Sequence, residues 1–292
     1  MNRFLIGMRD FFDEDKYRRD IKSGFYGVEA GTFRSIDEIK KLDIRLKRDN
    51  YNLCVHFPLL KRDYFYSHPM FLSKNRQERE RAYDVFERDL ELSEKYSAKY
   101  VLTHYPYPPV LDRELDWSSW RLKEYSYSDE YPSEIFEELS DMMFEKLSKM
   151  SRTYNVQIVI EHDILNGHFY TTGILKKLFE KYKILKACLD TGRIHQLSII
   201  DRRFKPFEFI RDIAGFTHVI HLWNVKLDNN TSGGHYPVLK EQKACEGWAD
   251  IGGFMKEIAK INDECLVMFE HRSELISDRQ LEECYDWVAA ML

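Results

Sequence analysis

Short apolar bursts alternate with stretches in which apolar residues recur every three or four positions, from one end of the chain to the other. The bursts are RFLIGM (3–8), FYGVEA (25–30), NLCVHF (52–57), KYVLTH (99–104), VQIVIE (156–161), KACLD (186–190), HVIHL (218–222) and LVMFE (266–270). Runs of this kind suit strands covered on both faces, as in parallel sheets, better than strands with one wet face.

The stretches between them carry helical spacing. Ser35 and Glu38 stand as the two ends of a capping box that opens a helix toward Leu46. Between Asn75 and Tyr96, the residues Ala82, Val85, Phe86, Leu90, Leu92 and Tyr96 share one broad side. Ile135, Leu139, Met142, Met143, Leu147 and Met150 do the same between Ser133 and Tyr154. TTGILKKLFEKY and DIGGFMKEIAKI give shorter helices, another follows Pro206, and DRQLEECYDWVAAML closes the chain.

Eight strand–helix alternations predict an α/β fold of the parallel (β/α)8 TIM-barrel type, with a doubly wound open sheet as the competitor. No Gly-, Ser- or Pro-rich linker, repeat or low-complexity tract interrupts them, so residues 1–292 are expected to form a single TIM-barrel domain. The longest gap, about 105–132, holds Tyr105, Tyr107, Trp117, Trp120, Tyr125, Tyr127 and Tyr131 among charges. In a barrel it is a βα loop on the active-site side, expected either to close over a ligand or to serve as an oligomer contact.

Polar residues sit where the bursts end: His56, His104, Glu161, Asp190, His221 and Glu270, with Glu29 near the end of the second. Two positions before the first six stand Cys54, Leu102, Val159, Cys188, Val219 and Met268. Side chains alternate along a strand, so these apolar residues share the direction of the polar ones. The expected register is an apolar layer filling the barrel with a polar ring above it. Alone, each polar residue is most simply a hydrogen-bonded core or loop residue. Together, converging carboxylates repel and call for a shared cation. Glu161, Asp190, His221 and Glu270 suit a divalent ion of the Mn²⁺, Mg²⁺, Co²⁺ or Zn²⁺ type. His56 and His104 would complete a second metal site sharing Glu161 and Glu270, or donate hydrogen bonds to substrate.

The bulk numbers narrow the setting. With 292 residues, 43% of them hydrophobic, the chain is long enough for a large core. A net charge of −5 disfavours nucleic acid as a dominant partner. Five cysteines without paired spacing read as reduced thiols, and the N-terminus lacks a signal-peptide pattern, so a cytoplasmic protein is expected. No run approaches the roughly 18 apolar residues of a membrane span, so no membrane partner is expected.

Taken together, VHFP, AKYVLTHYP, VIEH, CLDTGR, VIHLWN and MFEH resemble, in order and spacing, the xylose isomerase-like barrels. That superfamily includes sugar isomerases and epimerases and the endonuclease IV type of DNA-repair enzyme, the AP endonuclease family 2. The tagatose/psicose 3-epimerase-like branch implies one ion held by Glu161, Asp190, His221 and Glu270. It also implies a metal-stabilised enediolate, with the two glutamates moving the proton. The substrate would be a small-molecule sugar or sugar phosphate; the 105–132 loop, read as an oligomer contact, leaves room for a homo-oligomer. The endonuclease IV branch implies a metal-dependent phosphodiesterase, with His56 and His104 holding a second metal. Its third metal needs a His where this chain has Arg193 and an Asp where it has Gly233, so the chain departs from that pattern. The epimerase branch also usually has His at the position of Arg193. Arg193 is expected either to clamp a substrate phosphate or carboxylate or to form a salt bridge to the ring acids. His235, Trp223 and Lys226, in the loop after the seventh burst, and Glu29 complete the expected substrate contacts.

Overall fold

In the computed structural model, residues 2–61, 68–118, 120, 122, 124–226 and 234–292 are described; Gly233 lies outside them. Eight parallel strands close into a barrel: β1 (Phe4–Arg9), β2 (Gly27–Gly31), β3 (Asn52–His56), β4 (Tyr100–Tyr105), β5 (Gln157–His162), β6 (Lys186–Asp190), β7 (Thr217–Leu222) and β8 (Leu266–Phe269). Each pairs with its sequence neighbours, and β1 pairs with β8 to seal the cylinder. Every predicted burst is a strand, displaced by two residues at most. Closure decides against the open sheet and leaves no barrel strand with an unpaired edge.

Ten α-helices are present among the described residues: α1 (Glu14–Asp20), α2 (Ile36–Asp49), α3 (Arg76–Lys95), α4 (Ser133–Thr153), α5 (Gly167–Thr172), α6 (Ile174–Lys181), α7 (Thr191–Ile200), α8 (Pro206–Ile213), α9 (Ile251–Ala259) and α10 (Asp278–Ala289). α1 and α7 lie outside the predicted set. α7 has little segregation of apolar residues to one face: most of its first turn is buried, polar residues included, while the apolar Ile199 near its end is exposed. The predicted helix over TTGILKKLFEKY is two helices, broken at Gly173, whose φ of 65° lies in the left-handed region.

Two expected details differ. Ser35 accepts from the Glu38 backbone N–H, but the Glu38 carboxylate accepts from Phe12 N–H and pairs with Lys41, so only half of a capping box forms. In α4, Ile135 and Met142 are exposed, and the core face runs through Phe136, Leu139, Met143, Phe144 and Leu147. The buried face is thus rotated from the predicted stripe, losing Ile135 and Met142 and gaining Phe136 and Phe144.

Inside the barrel the expected layer is present. Cys54, Leu102, Val159, Cys188, Val219 and Met268 pack with Leu5, Tyr100 and Leu266 in one cluster. A separate, larger core fills the space between strands and helices. The inner plug sets the floor for what lies above it. Among the described residues no helix is long and apolar enough to cross a membrane.

Candidate metal centre

Register places the polar ring. Asp190 on β6 is the Cα partner of His221 on β7, and His104 on β4 is the partner of Glu161 on β5. Glu270 follows the last residue of β8. One ligand atom each from Glu161, Asp190, His221 and Glu270 lies within 4.8 Å of the others. A second set, His56, His104 and Glu161, meets the same condition, as does Glu161 with Cys188 and His221. All these side chains are buried or nearly so.

The two oxygens of Glu161 face different ways. Oε2 lies 2.9 Å from His104 Nε2 and 3.6 Å from His56 Nε2. Oε1 lies 3.4 Å from His221 Nδ1. Neither oxygen receives a hydrogen bond, nor does His221 Nδ1 make one, although all three atoms are buried. Buried polar atoms without directed hydrogen bonds are rare and costly. Buried oxygens on both sides of Glu161 and a buried imidazole nitrogen, none in a directed hydrogen bond, are what cations would satisfy.

Outer contacts orient the ring. Glu29 Oε2 accepts from the Tyr100 hydroxyl at 2.5 Å and lies 3.2 Å from His221 Nε2, which directs Nδ1 toward Glu161 and Glu270. His56 Nδ1 is 3.0 Å from the Phe57 carbonyl, and His104 Nδ1 is 3.3 Å from Asp163 Oδ2. His56 and His104 therefore turn Nε2 inward, where His221 turns Nδ1. Arg9 Nη2 holds Glu270 Oε1 at 2.8 Å.

The sequence Asp190-Thr-Gly192 has a local reason. Asp190 caps α7, accepting from Arg193 N–H at 2.8 Å, and its other oxygen accepts from the Trp223 indole at 2.9 Å. A Cβ at Gly192 would meet that indole at 2.3 Å, so only glycine leaves it room. Thr191 donates to the Trp223 carbonyl at 2.8 Å. These contacts join the loops after β6 and β7.

Charge in the ring is strongly coupled. Burial, with the charges of Glu161 and Glu270, pushes the Asp190 carboxyl up to about 8 against the pull of Arg193. Burial opposes a charged His104, but Glu161 and Asp163 outweigh it and raise the imidazole to about 9. His221 is raised well above its ordinary value, burial being outweighed by Cys188, Glu29, Glu161 and Glu270. Glu161 and Glu270 lie below the ordinary range, because facing histidines overcome their burial. The donor set thus holds protons where a divalent ion would compete for lone pairs.

Several expected contacts are placed differently. Arg193 forms the salt bridge rather than an open clamp: it pairs with Asp163, and its Nε lies 3.3 Å from Asp190 Oδ2 and 3.4 Å from Glu161 Oε1. Glu29 is sealed beneath His221 rather than facing a ligand, because two buried donors hold it. Trp223 supports Asp190 and stacks on His235 at 4.2 Å, and Lys226 bridges to Trp248. Neither Trp223 nor Lys226 lines the cavity over the ring, whereas His235 does. That cavity is about 560 Å³. None of its described lining comes from 105–132. There, Trp117, Trp120, Tyr125 and Tyr127 line a separate pocket of about 310 Å³, and Tyr107 approaches the ring through His68 stacked on His104.

Sequence reasoning missed Arg9, His68 and Asp163. Arg9 ends β1 and follows the same strand-end rule that found the others. Asp163 stands two residues beyond Glu161, past the strand, where no periodicity points to it.

A closed parallel barrel with a ring of acids and imidazoles at the C-terminal mouth defines a class of barrel proteins whose chemistry lies in the βα loops. The family model for the xylose isomerase-like TIM barrel matches residues 21–291, and the chain belongs to that family. No curated protein matches the sequence. Among solved structures, a D-tagatose 3-epimerase-like protein superposes with a TM-score of 0.67 at 16% identity, covering 98% of each chain. 3-Keto-D-glucoside 4-epimerase from E. coli gives 0.64 at 12% identity, covering 99% of each. The IOLI protein with a bound zinc atom gives 0.63 at 11%, covering 98% of this chain and 97% of that one. At these identities the likeness is one of fold.

Proposed function

We propose that the chain is a divalent-metal-dependent isomerase or epimerase acting on a small sugar or sugar phosphate. The observation that carries this is the convergence of Glu161, Asp190, His221 and Glu270 within 4.8 Å, with the Glu161 oxygens and His221 Nδ1 lacking hydrogen bonds. The epimerase names of two structural neighbours and the zinc of a third support it.

Those four side chains would hold the ion, which when bound supplies Lewis-acid polarisation of adjacent carbonyl and hydroxyl oxygens and so acidifies the carbon-bound proton. Glu161 and Glu270 are both held ionised by neighbouring cations, as a base requires. One takes the proton at its carboxylate oxygen, and the other returns a proton to the neighbouring carbon or the opposite face. Arg9 fixes the Glu270 carboxylate at 2.8 Å.

The test is exchange of a sugar carbon-bound proton in D₂O, followed by NMR across ketoses and their phosphates with metal present. Exchange that is lost in Glu161→Gln supports the reading. Absence of exchange across the panel, with metal bound, refutes it.

A second reading, a metal-dependent phosphodiesterase of the endonuclease IV type, draws on the set His56, His104 and Glu161. It requires two ions per chain, roughly 3.5–4 Å apart. Metal content and cleavage of abasic-site DNA decide it: one ion and no cleavage discard it.

A further inference from the structure

Arg193 is consumed by three carboxylates, which leaves open what the other cations at the cavity do. The chain as a whole has 44 Lys and Arg against 49 Asp and Glu. On the described lining of the cavity Arg9, Lys16, Arg193 and Arg272 outnumber Glu270 and Glu274, while Asp20 behind the wall pairs with Lys16. Three of the four cations share one side. Arg9 ends β1, Lys16 lies on α1 just after it, and Arg272 follows β8, the strand beside β1. His104, on β4, stands across the barrel from β8.

Their donors are incompletely used. Among the described residues, Arg9 gives one N–H to Glu270 and Arg272 gives one to Glu274. A guanidinium has five. Both side chains reach solvent, at 42% and 51% exposure, so both can meet a ligand entering the cavity. Lys16 is held by Asp20 and Ser273, which fixes its ammonium at the wall. Two forked donors and a point charge on one wall match the oxygens of a phosphate or carboxylate, and a concave site strengthens the attraction.

We propose that Arg9 and Arg272, with Lys16 beside them, form an oxyanion subsite, so that the substrate is a sugar carrying a phosphate or carboxylate group. This rests on the isomerase reading of the adjoining ring. It assigns to this wall the role that the sequence suggested for Arg193.

The test uses the metal-loaded full chain with inorganic phosphate, a ketopentose, its 5-phosphate and a hexuronate. Arg272→Gln removes an exposed ion pair of small worth, so its fold and metal content are expected to match the wild type. Calorimetry should show phosphate binding that weakens at least tenfold in this variant. Proton exchange should show a KM for the 5-phosphate or the uronate at least tenfold below that of the neutral ketopentose, and which of the two is favoured identifies the group. Phosphate binding that is absent, or unchanged in Arg272→Gln, overturns the subsite. Equal KM for neutral and charged sugars overturns it while leaving the isomerase reading intact. Arg272-dependent phosphate binding without any exchange keeps the subsite and removes the isomerase reading.

Discussion

Glu29 offers the sharpest test of how the ring is tuned, because its charge can be removed with little change of shape. Its Oε2 atom is the acceptor for Tyr100 and the neighbour of His221 Nε2, so the amide oxygen introduced by Glu29→Gln can take over both contacts. At 3.2 Å from a full unit charge, a carboxylate interacts by about 5 kcal/mol at an effective dielectric near 20. An imidazole ligating through Nδ1 carries only part of that charge, and outer carboxylates of this kind are worth about 10–100-fold in metal affinity, or about 1.4–2.7 kcal/mol. Glu29→Gln should therefore weaken Mn²⁺ or Zn²⁺ binding about tenfold, measured by competition with a chromogenic chelator. Glu29→Ala should weaken it further. It should also destabilise the metal-free protein by about 1–3 kcal/mol in urea unfolding, because the buried Tyr100 hydroxyl loses its acceptor. Affinities within twofold of wild type in both variants would show that Glu29 does not act on the ring through His221.

Asp190→Ala and His221→Ala should each strip the metal, read as ion content per chain after gel filtration; unchanged content means the ring is not the binding site. Metal affinity should rise with pH. Asp190, raised to about 8, and His221, raised well above its usual value, hold protons in the metal-free fold at pH 7, and ligation must expel them. Below pH 8 the slope should be about tenfold per pH unit for each proton released, and a flat profile between pH 6 and 8 contradicts this. Leu102→Ala opens the inner plug and should cost about 2–5 kcal/mol in denaturant unfolding; a loss below about 1 kcal/mol would mean that the floor relaxes to fill the space.

Closure of the barrel was legible because each strand is apolar on both faces and bounded by helical spacing, so eight elements and their order could be read off. The ring was legible for a related reason: a polar residue ending an apolar run leaves few places for its side chain except the mouth. Cys188 beneath Asp190 and Val219 beneath His221 show the two-residue rule at work. What escaped depends on contacts between distant segments. That Arg193 turns to Asp163 and that Glu29 is sealed by Tyr100 follow from three-dimensional neighbours with no sequence spacing in common. The 105–132 segment has aromatic content but no period, so its own pocket could not be told from a lid.

The interlock of Thr191, Gly192 and Trp223 stitches the loop after β6 to the one after β7. Any side chain added at position 192 would have to push the indole out of the space it fills, and with it the hydrogen bond that steadies Asp190. The smallest residue in the chain thus keeps two neighbouring loops of this barrel in step.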